Sequence, residues 1–134
     1  MNRSAMRENA FKLIYSIEMQ KDNNLKEQID LFFESNLIED KEAQDYIKDA
    51  VFGIDKNKNE ILENIKSNLK EDWKIDRISK VDLSILELAI YEIKYTDTPY
   101  KVVINEAVEI TKKYSEEKSK SFVNGVLASI VKDM

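Results

Sequence analysis

Residues 79–95 read SKVDLSILELAIYEIKY, a segment in which apolar side chains recur with a helical rather than an alternating period. These apolar side chains occupy nearly every face of the predicted helix. Ser79 and Asp82 precede most of them in an arrangement like a capping box, with aspartate in place of the preferred glutamate or glutamine. Because a helix that is apolar all round is buried by its neighbours, we expect this one to be central.

The sequence on both sides of this segment also has helical periodicity. Two glycines and one proline in 134 residues leave almost no positions for hairpin turns. The sequence therefore predicts an all-α fold: a compact single-domain bundle of about six to seven helices over residues 1–134.

Polar residues mark the predicted helix starts. We expect Ser4 to cap the first helix and Asn24 to cap a second helix that ends near Asn36. Asp40 is expected to open a long third helix that continues to about Leu69. The irregular stretch 70–79 fits a single turn or short helix, and two further helices follow the central one.

Small and polar residues inside the predicted helices indicate contacts between them. Gly53 predicts close packing or a local bend in the third helix, and Gly125 predicts a close helix approach in the last one. Asn105 and Asn124 lie in the middle of helices, where hydrogen bonds to neighbouring helices are favoured slightly over contact with a ligand.

The composition excludes several kinds of catalytic site. The chain has no cysteine and no histidine, so thiolate nucleophiles, Ser-His-Asp triads and ordinary zinc sites lack their usual groups. Glu106 and Glu109 share a helix face, but di-metal sites in helical bundles normally include a Glu-x-x-His pair. We expect no enzyme activity, no metal and no cofactor. No apolar run approaches the ~20 residues that span a bilayer, so a cytoplasmic protein without a membrane partner is expected.

Charge is distributed unevenly along the chain, whose net charge is −5. Residues 1–21 carry four basic and two acidic side chains, whereas residues 22–65 carry five basic and twelve acidic ones. Residues 101–134 have a net charge of +1. If the two ends meet in the fold, their cations can form a basic patch on an otherwise acidic protein.

Four stretches of the chain carry a resemblance to a known family. They read VDLSILELAIYEI at 81–93, PYKVVINEAVEI at 99–110, KY at 113–114 and SKSFVNGVL at 119–127. Near the start, Arg7-Glu8-x-Ala10-x-x-x-Ile14-Tyr15 adds a weaker match. The sequence resembles the NusB family of bacterial transcription antitermination factors over essentially its whole length.

The resemblance implies a function without catalysis. A member of this family binds the boxA element of nascent RNA together with NusE, which is also a small-subunit ribosomal protein. The pair then joins the elongating RNA polymerase with other Nus factors and suppresses premature termination, chiefly on ribosomal RNA operons.

The resemblance also implies which residues contact single-stranded RNA: Arg3, Arg7, Lys118, Ser119, Lys120 and Phe122. Their chemistry agrees, because cations hold the phosphates of a single strand and aromatic groups stack on its bases. Arg3 and Arg7 are four residues apart, so they share one helix face. We expect the side chains of Arg7 and Lys120 to be exposed. Phe122 begins an apolar stripe, which makes core packing an equally good interpretation.

For the NusE surface, the matching positions are Tyr15, Asp76 and Asp82. Acidic side chains suit a cationic ribosomal protein because opposite charge accelerates the encounter and orients the partners. Asp82 could also serve only the start of its helix, and Tyr15 could be a half-buried core residue. Two alternatives stay open: a protein-binding helical adaptor with little intrinsic RNA affinity, and a homodimer that covers the RNA surface.

Overall fold

The computed structural model describes residues 1–20, 24–70 and 73–134. Within these ranges the chain forms seven α-helices and one short 3-10 turn, and it contains no strand. The elements are α1 (Arg3–Met19), α2 (Leu25–Ser35), α3 (Lys41–Lys56), α4 (Lys58–Ser67), the 3-10 turn (Ile75–Arg77), α5 (Lys80–Tyr95), α6 (Tyr100–Tyr114) and α7 (Ser119–Lys132). The predicted all-α bundle is confirmed. No described helix has both the length and the apolar character that crossing a membrane requires.

The helix α5 is the centre of the bundle, as its apolar pattern predicts. It packs against α1, α3, α4, α6 and α7. Every residue from 82 to 90 is buried. The Ser79 hydroxyl caps this helix by accepting a hydrogen bond from the backbone N–H of Asp82 at 3.1 Å. These five helices therefore take their positions from the faces of α5 that they cover, whereas α2 packs against α1 and α3.

Three of the four predicted helix caps are present. Asn24 and Asp40 each accept a hydrogen bond from a backbone N–H in the first turn of α2 and α3, as Ser79 does in α5. The prediction for Ser4 is wrong, because Asn2 caps α1. The Ser4 hydroxyl instead donates to Glu106 of α6, so a residue with capping chemistry joins two helices.

The long helix predicted from Asp40 to about Leu69 is two helices. The helix α3 ends and α4 begins around Asn57, whose backbone angles are φ −107° and ψ 19°. The Asn57 side-chain amide donates to the carbonyl of Gly53 at 2.8 Å, a local hydrogen bond that competes with continued helix. After this break, α4 packs against α5 and α7.

The two glycines have different surroundings in the structure. A Cβ atom on Gly53 would lie 2.2 Å from Cε1 of Tyr91, so the predicted close packing is confirmed. At Gly125 no heavy atom outside the local helix lies within 4 Å of that position, and the prediction of a packing glycine is wrong. Asn105 and Asn124 are exposed, and within the described ranges neither side chain makes a hydrogen bond. The expectation that they fix the bundle is also wrong.

Candidate nucleic-acid interface

Arg7 is buried in an ion-pair network rather than exposed. Only 5% of its surface is accessible, and its Nε lies 2.9 Å and 3.1 Å from the two carboxylate oxygens of Glu92. Its Nη1 lies 3.2 Å from Glu106, and the Tyr46 hydroxyl also donates to Glu92. Burial by itself would lower the pKa of Arg7, but the hydrogen bond and charge of Glu92 outweigh it and leave the pKa raised.

The expected exposure of Arg7 is therefore wrong, for a reason that lies in α5 and α6. The spacing of Arg3 and Arg7 places them on one side of α1, but only the Arg7 end of that side is covered by these helices. Glu92 is the signal that could have revealed it: a carboxylate in the most apolar helix needs a buried cation beside it.

Arg3 is exposed at the start of α1. Its side chain is 52% accessible, and its guanidinium lies over the ring of Tyr46, 5.0 Å from the centroid. Its Nη2 is 4.0 Å from a carboxylate oxygen of Glu42, which is long for an ion pair. Arg3 is therefore available to a ligand, although it rests against α3.

Lys118 and Lys120 lie at the start of α7. The Lys118 side chain is 87% exposed, and its Nζ is 3.6 Å from Glu116. The Lys120 side chain is 31% exposed and pairs more closely with Glu117, at 2.6 Å. Both cations can reach a ligand, and both compete with a neighbouring carboxylate for it.

Ser119 and Asp82 hold the starts of α7 and α5 together. The Ser119 hydroxyl donates to one carboxylate oxygen of Asp82 at 2.9 Å, and the Ser115 hydroxyl donates to the other at 2.6 Å. Ser119 and Asp82 are only 6% and 7% exposed. The resemblance implies that Ser119 contacts RNA and that Asp82 contacts NusE. In the structure the two buried side chains instead contact each other, so neither is exposed to a partner.

Phe122 packs against the core and is also partly accessible, so both core packing and contact with a ligand are compatible with its position. Its ring is half-buried against the core and also packs on the ring of Trp73, with 5.3 Å between the centroids and 33° between the planes. Trp73 is 46% exposed. The aromatic pair therefore begins in the core and ends at the surface, which no motif in the sequence indicates.

The candidate NusE residues other than Asp82 lie at the surface or near it. Tyr15 is half-buried, and its ring stacks on Phe11 with 6.3 Å between centroids. The Phe11 ring lies 5.1 Å from the ring of Tyr114, so three aromatic rings join α1 to the end of α6. Asp76 is exposed in the 3-10 turn.

Two contacts fix how α1 lies beside α6. Near the start of α1, Ser4 donates to Glu106; one turn later, Glu8 accepts from both Lys113 and Tyr114. The side chains that join the two helices therefore occur in the same order along both of them. At 1.5 Å per residue, Glu106 and Tyr114 are about 12 Å apart along α6.

The exposed cations come from three helices. Arg3 is at the start of α1, Lys113 is near the end of α6 with a side chain that is 61% exposed, and Lys118 and Lys120 are at the start of α7. We call these four residues the basic edge. The sequence predicts that the chain ends share a basic patch; in the structure, α6 adds Lys113 to the exposed cations from the starts of α1 and α7.

Known protein sequences match this chain over almost its whole length. The NusB family model matches residues 4–132. The transcription antitermination protein NusB of Acetivibrio thermocellus is 49% identical over 139 residues, which cover 98% of this chain and 90% of that protein. The protein of the same name from Clostridium botulinum strain Alaska E43 is 48% identical over 134 residues, covering 98% and 99%.

Solved structures of similar fold also come from NusB proteins. The fold matches T. maritima NusB with a TM-score of 0.90 at 35% identity, over 99% of this chain and 92% of that one. It matches a chain in the crystal structure of antitermination factors NusB and NusE in complex with dsRNA with a TM-score of 0.89 at 30% identity, over 98% and 97%. The resemblance found in the sequence is confirmed: the chain belongs to the NusB family.

Proposed function

We propose that this protein is a transcription antitermination factor that binds boxA RNA together with NusE. The complex joins the elongating RNA polymerase with other Nus factors, mainly on ribosomal RNA operons. Its role is regulatory and not catalytic, and one helical domain over residues 1–134 performs it. The relatives described as antitermination proteins and the solved complex of NusB, NusE and RNA support this function. Within this chain, the basic edge is the observation that carries it.

The basic edge fits an extended single strand. Its four exposed cations come from α1, α6 and the start of α7, so they can meet different phosphates of one strand. Phe122 lies next to Lys118, where an aromatic ring can contact a base. Arg7 and Ser119 contribute indirectly: Arg7 fixes α1 against α5 and α6, and Ser119 fixes the first turn of α7.

NusE contacts the protein beside this strand, at the aromatic rings that join α1 to α6. Tyr15 presents the outer ring of that row, and Asp76 offers an exposed carboxylate to a basic protein. Asp82 acts from behind this surface, because its carboxylate is occupied by two serine hydroxyls.

One observation favours a second candidate, a helical adaptor with little RNA affinity of its own. Lys113 and Lys120 each lie within 2.8 Å of a carboxylate, and RNA must displace these ion pairs to use the cations. In such an adaptor, NusE supplies most of the RNA contacts.

Transcription past a terminator tests the proposed function. The template carries boxA upstream of an intrinsic terminator, and the reaction contains RNA polymerase, NusE and the other Nus factors. Addition of the protein is expected to raise read-through, and scrambling boxA is expected to abolish that gain. Equal read-through with and without the protein on the boxA template would refute the proposal.

A further inference from the structure

A groove of about 770 Å³ opens where four elements meet: the 3-10 turn, the start of α5, the end of α6 and the start of α7. Its volume is within the range of sites that enclose small organic ligands. The lining includes Trp73, Arg77, Val81, Tyr114, Lys118 and Phe122. Lys118 also belongs to the basic edge, so the groove continues that surface around the end of α6.

Trp73 is the most informative residue in this groove. Its indole is 46% exposed although it is a large apolar group, and the Phe122 ring supports it at a centroid distance of 5.3 Å. An exposed aromatic ring held in place by a second ring is a platform on which another planar group can stack. The planar groups of single-stranded RNA are its unstacked bases.

The charges around the groove select a ligand with phosphates. The Arg77 side chain is exposed and makes no ion pair or hydrogen bond within the part of the chain that the structure describes. The Lys118 side chain, in the same lining, is 87% exposed. Of the two carboxylates in the lining, Asp82 is occupied by serine hydroxyls, and Glu116 lies 3.6 Å from Lys118. The accessible charge is therefore cationic next to an aromatic surface, a combination typical of single-strand binding.

We infer that this groove seats an unpaired base of the bound RNA, stacked on Trp73, with Arg77 and Lys118 on the flanking phosphates. The inference rests on the proposed function and extends it, since it assigns base contact to Trp73 and phosphate contact to Arg77. Neither residue lies in the stretches that carry the family resemblance.

The single tryptophan makes the experiment direct, because intrinsic tryptophan fluorescence reports on Trp73 alone. The probe is a boxA oligoribonucleotide, with an abasic oligomer of the same length as a backbone-only control. RNA binding is measured for the wild type and for Trp73→Leu, Trp73→Phe and Phe52→Leu. Phe52 is a matched control on α3 that is 45% exposed and lies outside the groove lining.

Stacking predicts quenching of Trp73 by boxA RNA and much less by the abasic oligomer. Trp73→Leu is expected to bind boxA RNA roughly 5- to 100-fold more weakly, as for the loss of one base–aromatic stack. Trp73→Phe retains a ring and is expected to stay within about threefold of the wild type, as is Phe52→Leu. Circular dichroism verifies that each variant is helical.

Three results would overturn the inference while leaving the proposed function intact. In the first, the wild type prefers boxA RNA but folded Trp73→Leu binds it equally well. In the second, Trp73→Phe loses as much affinity as Trp73→Leu, which indicates a structural role for the indole. In the third, Trp73→Leu weakens the capture of NusE without changing RNA affinity, which makes the groove a protein site. A wild type that does not distinguish boxA from scrambled RNA, with NusE present, contradicts the proposed function itself.

Discussion

At the scale of single residues, burial decides what each charge does. Arg3 and Arg7 look equivalent in the sequence, yet one is half-exposed and the other is enclosed by Glu92 and Glu106. Local spacing correctly predicts that they share a side of α1. It cannot predict that α5 and α6 cover only part of that side, because this depends on residues about 85 to 100 positions away in the chain.

The buried Arg7 network predicts a large and specific loss of stability. Arg7→Ala leaves Glu92 buried without its cation, which typically costs about 3–5 kcal/mol of unfolding free energy. Urea unfolding followed by circular dichroism measures this loss. Arg3→Ala is the control, and its exposed side chain predicts a change within about 0.5 kcal/mol. Equal small changes for the two variants would show that the network contributes little.

Glu87 makes stability depend on pH. Its carboxylate is 0% exposed, and burial raises its pKa to about 8, despite Lys58 at 2.6 Å. Lys58 also pairs with Glu18, whose pKa is lowered by Lys58 and by Glu87 against the opposing effect of its own burial. The raised pKa of Glu87 favours its protonated form below about pH 8, beside Glu18, whose lowered pKa favours the ionised form.

The sign of the pH dependence follows from that raised pKa. The stabilisation from Glu87 is complete below pH 4.5, the ordinary pKa of the carboxyl, and is lost as the pH rises through about 8. We expect the ionisation of Glu87 to lower the unfolding free energy of the wild type by roughly 2–4 kcal/mol between pH 5 and pH 9. Glu87→Gln mimics the protonated form, so its urea midpoint is expected to vary much less over that range. Parallel pH profiles for the two proteins would contradict this account.

Among the features of the helices, the caps can be predicted because they depend on residues within one turn. The end of α3 and the contacts of the glycines cannot be predicted in this way. Asn24, Asp40 and Ser79 cap their helices as predicted because a cap needs only neighbouring backbone groups. The apolar register continues through Asn57, so hydrophobic periodicity does not show that α3 ends there. Likewise, nothing local distinguishes Gly53, which faces Tyr91, from Gly125, which faces open space.

The two glycines predict opposite effects of the same substitution. Gly125→Ala adds a methyl group in open space and is expected to stabilise the protein by up to about 1 kcal/mol through helix propensity. Gly53→Ala gains the same propensity but drives its Cβ into the Tyr91 ring, and overpacking of this kind costs about 1–3 kcal/mol. Thermal unfolding of both variants measures the difference. A Tm for Gly53→Ala as high as that for Gly125→Ala would contradict the packing.

At the scale of the whole molecule, net charge is a poor guide to the ligand. The total of −5 suggests repulsion of RNA, whereas the fold leaves the four cations of the basic edge accessible at the surface. The uneven charge of the sequence correctly predicts basic surface residues near both chain ends. The contact of Lys113 with α1 and the Trp73 groove depend on how α6 and α7 pack, which the sequence does not reveal.

The basic edge predicts a modest salt dependence. For single strands, log K falls with log salt by about 0.7 for each neutralised phosphate, so four cations predict a slope no steeper than about −3. Fluorescence anisotropy of labelled boxA RNA at several potassium chloride concentrations measures it. A slope near zero would mean that the basic edge does not contact phosphates.

Recognition of boxA RNA, strongest in the presence of NusE, can be tested with a pair of titrations. One uses boxA RNA and the other a scrambled RNA of equal composition, each with and without NusE at one fixed salt concentration. We expect tighter binding of boxA than of scrambled RNA, with the difference increasing when NusE is present. Equal, weak binding of both RNAs even with NusE would contradict it.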